Sequence, residues 1–480
     1  MNQCPTAAIL TPKRPKAALS PVLKTYAEAR VPRYTSYPTA PHFTAVDGAG
    51  HYAQWLADIP EGTPLSLYLH IPFCHQLCWY CGCHTSITQD TNRISAYADL
   101  LQREIDLKAK AMDNGRPHGR KPGPVHHIHF GGGSPNALSA TDLRAIMARL
   151  RQRFQLAQDA EIAIELDPRK LSESFMNALG DTGITRASLG VQDLNPIIQK
   201  RINREQPFSA VRHAMRGLRH RGIEKINLDL MYGLPGQRVP HVLRTIEKAL
   251  TLHPDRLAVF GYAHVPWFKK HQKLVESDAR SASLPDTLER LDQAEAARQA
   301  ITAAGYVEIG MDHYAKPSDP MTVAWQAGHR QRNFQGFTTD GADTLIGFGA
   351  SAISSLPRGY AQNHPHLAPY RSAVMNGEAP ITRECPLTAE DKLRRQVISD
   401  IMCEKVIDLG GLCRQHGYDA RHFDTLIPAL QKLADDGLIL HSDGFLTLTH
   451  AGRRFSRSVA AVFDAYLHTG DTTTKHSQAS

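Results

Sequence analysis

Four of the eight cysteines fall within ten positions, in the stretch HIPFCHQLCWYCGCHT at 70–85. Cys74, Cys78 and Cys81 are spaced C-x3-C-x2-C, and Cys83 follows two residues later. Thiolates spaced this way, directly after an apolar strand, suit a loop wrapped around a compact metal cluster. Cysteine thiolates are the usual ligands of cubane iron–sulfur clusters. Structural zinc is the alternative, but it prefers four closed ligands, commonly as two separated cysteine pairs. The remaining cysteines, Cys4, Cys385, Cys403 and Cys413, are isolated in the sequence. Three local thiolates would leave one iron of a four-iron cluster open to another ligand, and an open metal position is a catalytic feature. The spacing therefore favours iron–sulfur over zinc. Trp79 and Tyr80, between the ligands, are placed to shield a cluster from water or simply to pack.

Several elements must position such a loop. Short apolar strands are expected at LSLYLHI (65–71), VHHIHF (125–130), EIAIEL (161–166), RASLGVQ (186–192), KINLDLM (225–231), RLAVFGY (256–262) and YVEIGM (306–311). Helix-length amphipathic stretches such as RISAYADLLQREIDLKAKAM and SAVRHAMRGLRHRG separate them. Alternating strand and helix argue for parallel βαβ units, and six or seven of them for a full or partial (β/α) barrel. Within the strands, side chains alternate faces. Leu65, Leu67, Leu69 and Ile71 oppose Tyr68 and His70. Ile162, Ile164 and Leu166 oppose Glu161 and Glu165, and Ile226, Leu228 and Leu230 oppose Asn227 and Asp229. The apolar faces suit a helix layer. The polar faces would point into the barrel, toward the strand ends where such barrels build their sites.

After about residue 385 the pattern becomes helix, helix, hairpin, helix, similar to a winged helix, and is expected to brace or cover the barrel. The expected division is an N-terminal arm (1–50), an α/β barrel domain (51–360), a smaller, mostly helical, winged-helix-like domain (361–467) and a disordered polar tail (468–480).

Bulk composition is ordinary for a globular chain: 480 residues, 42% apolar and 21% charged. No apolar run approaches the roughly 18–20 residues of a membrane span, and the N-terminus lacks a signal-peptide core. The expectation is a cytoplasmic protein whose thiols stay reduced. The formal charge of +8 favours an anionic partner: nucleic acid, an acidic protein or a polycarboxylate.

The cysteine spacing after the first barrel strand resembles the signature of radical S-adenosylmethionine enzymes. The resemblance narrows with VPRYTSYPTAPHF (31–43), LYLHIPFCHQLCWYCGCHT (67–85), FGGGSP (130–135), LGVQDLNPIIQKRINREQ (189–206), LDLMYGLPGQ (228–237) and NFQGFTT (333–339), in that order. Together, over about 25–465, they resemble the oxygen-independent coproporphyrinogen III oxidases. Ser134 stands where some members carry threonine.

That resemblance implies a partial barrel of the radical S-adenosylmethionine type and one 4Fe–4S cluster held by Cys74, Cys78 and Cys81. It implies S-adenosylmethionine, as two molecules, near Tyr68, Tyr80, Cys83, Gly133, Ser134, Glu165, Gln192, Arg204, Asp229, Ala263 and Ile353. Tyr68, Glu165, Phe334 and Gln335 are the implied catalytic residues, and 32–38 an arm over the site. The implied reaction converts two propionates of coproporphyrinogen III to vinyl groups. The propionate β C–H is too weakly acidic for a side-chain base, so a cofactor must supply the difficult step. The implied partners are the substrate and a one-electron donor such as flavodoxin or ferredoxin, with no nucleic acid and no membrane span, the chain acting as a monomer. Two rivals share the cluster motif: a haem chaperone and a nucleic-acid-modifying radical enzyme. The extension to Cys83, RYTSYPT and NFQGFTT favour the decarboxylase.

Overall fold

The first strand, β1 (Leu65–Ile71), is buried on both faces, as a strand covered by helices on one side and facing a barrel interior on the other must be. The computed structural model describes residues 21–46, 50–114, 122–277, 282–334 and 336–467. The expected tail at 468–480, the first twenty residues of the arm and Gln335 lie outside the described residues.

Five further strands run parallel to β1 in chain order: β2 (Val125–Gly132), β3 (Leu156–Leu166), β4 (Arg186–Gln192), β5 (Lys225–Tyr232) and β6 (Arg256–Gly261). Helices α1 (Thr91–Asp113), α2 (Ala140–Arg153), α3 (Glu173–Asp181), α4 (Phe208–His220) and α5 (Val239–Leu250) make the crossovers. Their starts are written in the sequence. Asp90, Ser139 and Ser172 each accept a backbone N–H of the first turn, satisfying donors that a helix start leaves open. In α4 the buried residues are Val211, Ala214, Met215 and Leu218, one face of a helix repeat. Those faces pack on Leu67, Leu69, Ile128, Phe130, Ile164 and Leu228 in one continuous core.

The opposite strand faces line an interior space with His127, His129, Glu161, Glu165, Ser188, Asn227 and Asp229, so the polar face does point inward. Its lower end is closed by charge pairs: Arg186 with Glu161 at 3.1 Å, and Arg256 with Asp319 at 2.7 Å.

Three expectations are corrected. The strand expected at 306–311 is Val307–Gly310 (β7), and it does not follow β6 as a further parallel neighbour. The antiparallel strand β8 (His313–Ala315) lies between them. A turn through Asp312, at φ 63°, reverses the chain there. The seventh parallel strand is instead β9 (Thr344–Phe348), beside β1 on its free side. From β9 the sheet continues antiparallel through β10 (Ile353–Leu356), β11 (Gly359–Asn363) and β12 (Ile381–Pro386) to a short edge at Thr44–Ala45. Among the described residues the sheet has thirteen strands and is open, its two edges unpaired with each other. The boundary expected after residue 360 therefore falls inside β11.

Helix α6 (Thr287–Ala303) follows β6. Helix α7 (Ala389–Met402) opens the C-terminal unit, which includes a small sheet of Ile407–Asp408, Phe445–Leu448 and Ile439–Ser442. Its core takes in Tyr34 and Tyr37 of the N-terminal arm. The Tyr34 hydroxyl donates to Asp464 at 2.9 Å and the Ala465 N–H donates to the Tyr37 hydroxyl at 3.0 Å.

Candidate active site

Beyond β1 the chain forms a loop at the C-terminal end of the barrel. Phe73–Cys74 pairs in parallel with Ser86–Ile87, so the loop returns beside its own start. Other segments pin its carbonyls. Lys269 donates to Cys83 O at 2.9 Å, Gln272 to Tyr80 O at 2.9 Å and Asn203 to Leu77 O at 2.8 Å, and His271 lies 2.8 Å from Cys81 O. Trp79 and Tyr80 pack against Ile198, Ile202, Leu234 and Tyr262, which serves loop packing directly.

The glycine motif meets this loop at van der Waals range. The Gly133 N–H donates to Ile71 O at 2.8 Å and the Ser134 N–H to Phe73 O at 2.7 Å. A Cβ at Gly133 would stand 2.6 Å from Phe73 O, so only glycine permits the approach. Gly132, at φ 111°, faces the His70 ring in the same way. The approach sets the Ser134 hydroxyl 3.7 Å from Cys74 Sγ.

Cys74, Cys78, Cys81 and Cys83 open on one cavity of about 670 Å³ with Tyr80, Gly133, Ser134, Glu165, Gln192, Arg204, Asp229 and Ala263. That size is within the range of cofactor sites. Arg33 and Cys83 are solvent-exposed although protein surrounds them, because they face this internal space.

Cationic side chains converge on the sulfurs of the loop. Cys78 Sγ accepts from Arg204 Nη1 at 3.4 Å and from Arg169 Nη2 at 3.7 Å. Asp167 orients both guanidiniums, at 2.6 Å from Arg169 and 3.5 Å from Arg204. The Cys83 thiol and backbone N–H, with Lys269 and Arg204 nearby, bring the Cys81 thiol down to about 6 against the opposing effect of burial. The same sulfur contact, with burial, pushes Cys83 well up. Burial pushes Cys74 up to about 12, partly offset by Ser134.

Two carboxylates sit at strand ends. Glu165, on β3, meets His129 Nε2 at 3.1 Å. Burial alone would raise it, but His129 and the Gly132 N–H outweigh that and hold it below the usual range. Burial pushes Asp229 on β5 up to about 6 although Ser188 and Asn227 donate to it at 2.8 and 2.7 Å. One wall of the cavity thus carries an ionised carboxylate and one that is protonated at mildly acid pH.

Tyr68 lies just below, with its ring 5.9 Å from His129 and its hydroxyl 3.0 Å from His70 Nδ1. Phe334 and Ile353 are not brought to the cysteine cavity. They pack with Phe43, Tyr360 and Cys385, and Phe334 lines a separate space beneath the arm and α7. Asp167, Arg169 and His129 escaped the sequence reading. The signal for Asp167 and Arg169 was available, since ELDPRK places them just past the same strand end as Glu165.

An open parallel sheet with a C-x3-C-x2-C loop at its C-terminal end, a glycine turn against that loop and carboxylates on the next strands defines a radical S-adenosylmethionine enzyme. The profile of the radical SAM superfamily matches residues 68–249. The chain is 46% identical to the oxygen-independent coproporphyrinogen III oxidase of Bradyrhizobium diazoefficiens over 93% of its length and 96% of that protein's. It is 42% identical to the enzyme of that name from Paracoccus denitrificans, over 92% and 95% respectively. The solved structure of coproporphyrinogen III oxidase from Escherichia coli, described as a radical SAM enzyme, superimposes with a TM-score of 0.83 at 36% identity, covering 91% of this chain and all of that one. The chain belongs to the oxygen-independent coproporphyrinogen III oxidase family. Its cofactors are a 4Fe–4S cluster and S-adenosylmethionine.

The donor set fits that cluster. Thiols distributed along a loop, with two guanidiniums and a backbone N–H directed at their sulfurs, suit a multi-iron group.

Proposed function

We propose that this chain carries out the anaerobic oxidative decarboxylation of coproporphyrinogen III to protoporphyrinogen IX, converting two propionates to vinyl groups. The observation that carries the reading is that the cysteine triad, the glycine turn and the strand-end carboxylates open on one cavity. When bound there, the cluster and S-adenosylmethionine supply a 5′-deoxyadenosyl radical able to take the propionate β-hydrogen.

In this reading Cys74, Cys78 and Cys81 are the iron ligands. The Gly133 backbone, Ser134, Glu165, Gln192, Arg204, Asp229, Tyr80 and Ala263 hold S-adenosylmethionine. Arg204 bonds the Gly190 carbonyl and Cys78 at once, so its guanidinium is oriented before a ligand arrives. Ionised Glu165 serves as an acceptor for ligand hydroxyls, and Tyr68 backs it from below. Phe334 and Ile353, away from the triad, fit a role in shaping the substrate side or holding a second S-adenosylmethionine. Residues 31–37 wall the cavities from the arm side, and the C-terminal unit braces them. Enclosure keeps water from radical species.

No helix among the described residues is long and apolar enough to cross a membrane. We take the enzyme to work in the cytoplasm as a monomer, supplied by a small one-electron donor of the flavodoxin or ferredoxin type.

The test is anaerobic incubation of reconstituted protein with coproporphyrinogen III, S-adenosylmethionine and a strong reductant. Protoporphyrinogen and 5′-deoxyadenosine are expected. Stable haem binding without either product would overturn the reading in favour of a haem carrier.

A further inference from the structure

Continuous with the cysteine cavity through Arg33, Phe260, Gly261 and Ala263 lies a second space of about 280 Å³. Among the described residues its wall gathers Arg30, Arg33, Arg290, Arg332 and Arg457 around one carboxylate, Asp312. The arginines come from four places: the N-terminal arm, α6, the hairpin strand Gln331–Asn333 and the helix Ser456–Ala460. The fold brings these distant segments together.

This gathering of like charges is unfavourable in itself. Burial first, with the neighbouring Arg33 charge among the further causes, pushes Arg332 and Arg457 down to about 10 and lowers Arg290. Burial also pushes Asp312 up to about 6, so this carboxylate is a weak counter-charge. Arg332 Nε is buried with no hydrogen-bond partner. Like charges collected at a cost to stability mark a place that functions by holding the opposite charge. A guanidinium presents paired N–H donors matched to a carboxylate, which a lysine cannot do.

We propose that this arginine-lined pocket grips side-chain carboxylates of the tetrapyrrole substrate. It would hold the propionates that are not reacting and so turn a reacting one toward Glu165 and the cysteine loop. The proposal rests on the function given above and adds the residues that orient the substrate. Arg290, Arg332 and Arg457 are then positioning residues, and Arg33, which lines both spaces, sits at the junction.

The experiment is anaerobic fluorescence titration of the reconstituted enzyme with two porphyrins of similar ring size. Coproporphyrin III carries four carboxylates and mesoporphyrin IX two. The wild type is expected to bind coproporphyrin III more tightly, with an affinity that falls as salt rises. Arg332→Gln and Arg457→Gln are each expected to weaken coproporphyrin III about tenfold or more, the scale of a lost hydrogen bond to a charged group. Mesoporphyrin IX should be weakened less. Iron and sulfide content should not change, and KM for coproporphyrinogen should rise more than kcat falls. Arg332→Lys should recover part of the affinity. Arg33→Gln, at a solvent-open side chain, gives the same reading without disturbing a buried site. Unchanged coproporphyrin III affinity in all three glutamine variants, or equal loss for both porphyrins, overturns the pocket assignment while leaving the function standing. A wild type that binds neither porphyrin overturns the function and the pocket with it.

Discussion

Lys108→Met tests the support behind the cluster strand. Lys108 and Glu104 are one turn apart on α1, both with no solvent exposure, and their charges meet at 2.7 Å. Lys108 Nζ also donates to Gly347 O at 2.5 Å, on β9, and to Asn363 Oδ1 at 3.2 Å, on β11. Glu104 in turn accepts from the Gly349 N–H at 2.6 Å, Asn363 Nδ2 at 2.6 Å and the Tyr370 hydroxyl at 2.7 Å. Burial alone would lower the lysine, but the Glu104 carboxylate outweighs it and keeps it charged. Methionine fills a similar volume, so packing changes little. What remains is a buried carboxylate without its cation and two acceptors without a donor. Breaking a buried pair in this way costs about 3–5 kcal/mol. The three donors that Glu104 keeps place the expected loss near the lower end. The assay is urea unfolding followed by circular dichroism. Glu104→Gln/Lys108→Met should recover at least half of the loss, because no lone charge is left. A single variant within about 1 kcal/mol of wild type, or a double variant whose loss equals the sum of the two singles, would refute the account.

Four other outcomes follow from the site. Cys74→Ala, Cys78→Ala and Cys81→Ala should each abolish cluster assembly in anaerobic reconstitution, whereas Cys83→Ala should retain iron and sulfide; a four-iron spectrum in any of the first three refutes the ligand set. Glu165→Gln should weaken S-adenosylmethionine about five- to tenfold by calorimetric titration, the difference between a charged and a neutral acceptor; an unchanged affinity removes Glu165 from the binding site. His70 is buried neutral, between the Tyr68 hydroxyl and the His84 carbonyl, and burial brings it from 6.5 to about 4. Because that value is depressed, its share of stability is complete above pH 6.5 and is lost as pH falls toward 4, roughly 3 kcal/mol in all; His70→Gln should flatten that part of the stability profile. Gly133→Ala should destabilise by about 1–3 kcal/mol, since its methyl meets backbone rather than a yielding side chain, and iron retention should fall with it; a full iron complement at unchanged stability would count against the close approach.

What could be read in advance follows a physical line. The cysteine loop is contiguous in sequence, and β1 was legible to the residue because both its faces are buried and its ends are sharp. Glu165 and Asp229 were legible because a period of two puts them inward near strand ends. Strand β9 was not, since it is only five residues long and both the short helix Pro320–Gln326 and the hairpin of Gln331–Asn333 with Gly336–Thr338 stand between it and β8. The reversal at Asp312 is flanked by Gly310, at φ 135°, but that glycine sits inside an apolar run that reads as one continuous strand. The arginine pocket was hidden for a different reason. Arg33, Arg290, Arg332 and Arg457 lie far apart along the chain, and only the tertiary fold makes them neighbours.

The bonds from Tyr34 and Tyr37 to Asp464 and Ala465 also set an order in time. Residues 31–37 leave the ribosome early, yet the surface that buries them is made last. At roughly 5–20 residues per second, tens of seconds separate the synthesis of these tyrosines from that of their partners. The segment 31–37 therefore cannot reach its final seat until the chain has been made through about residue 465.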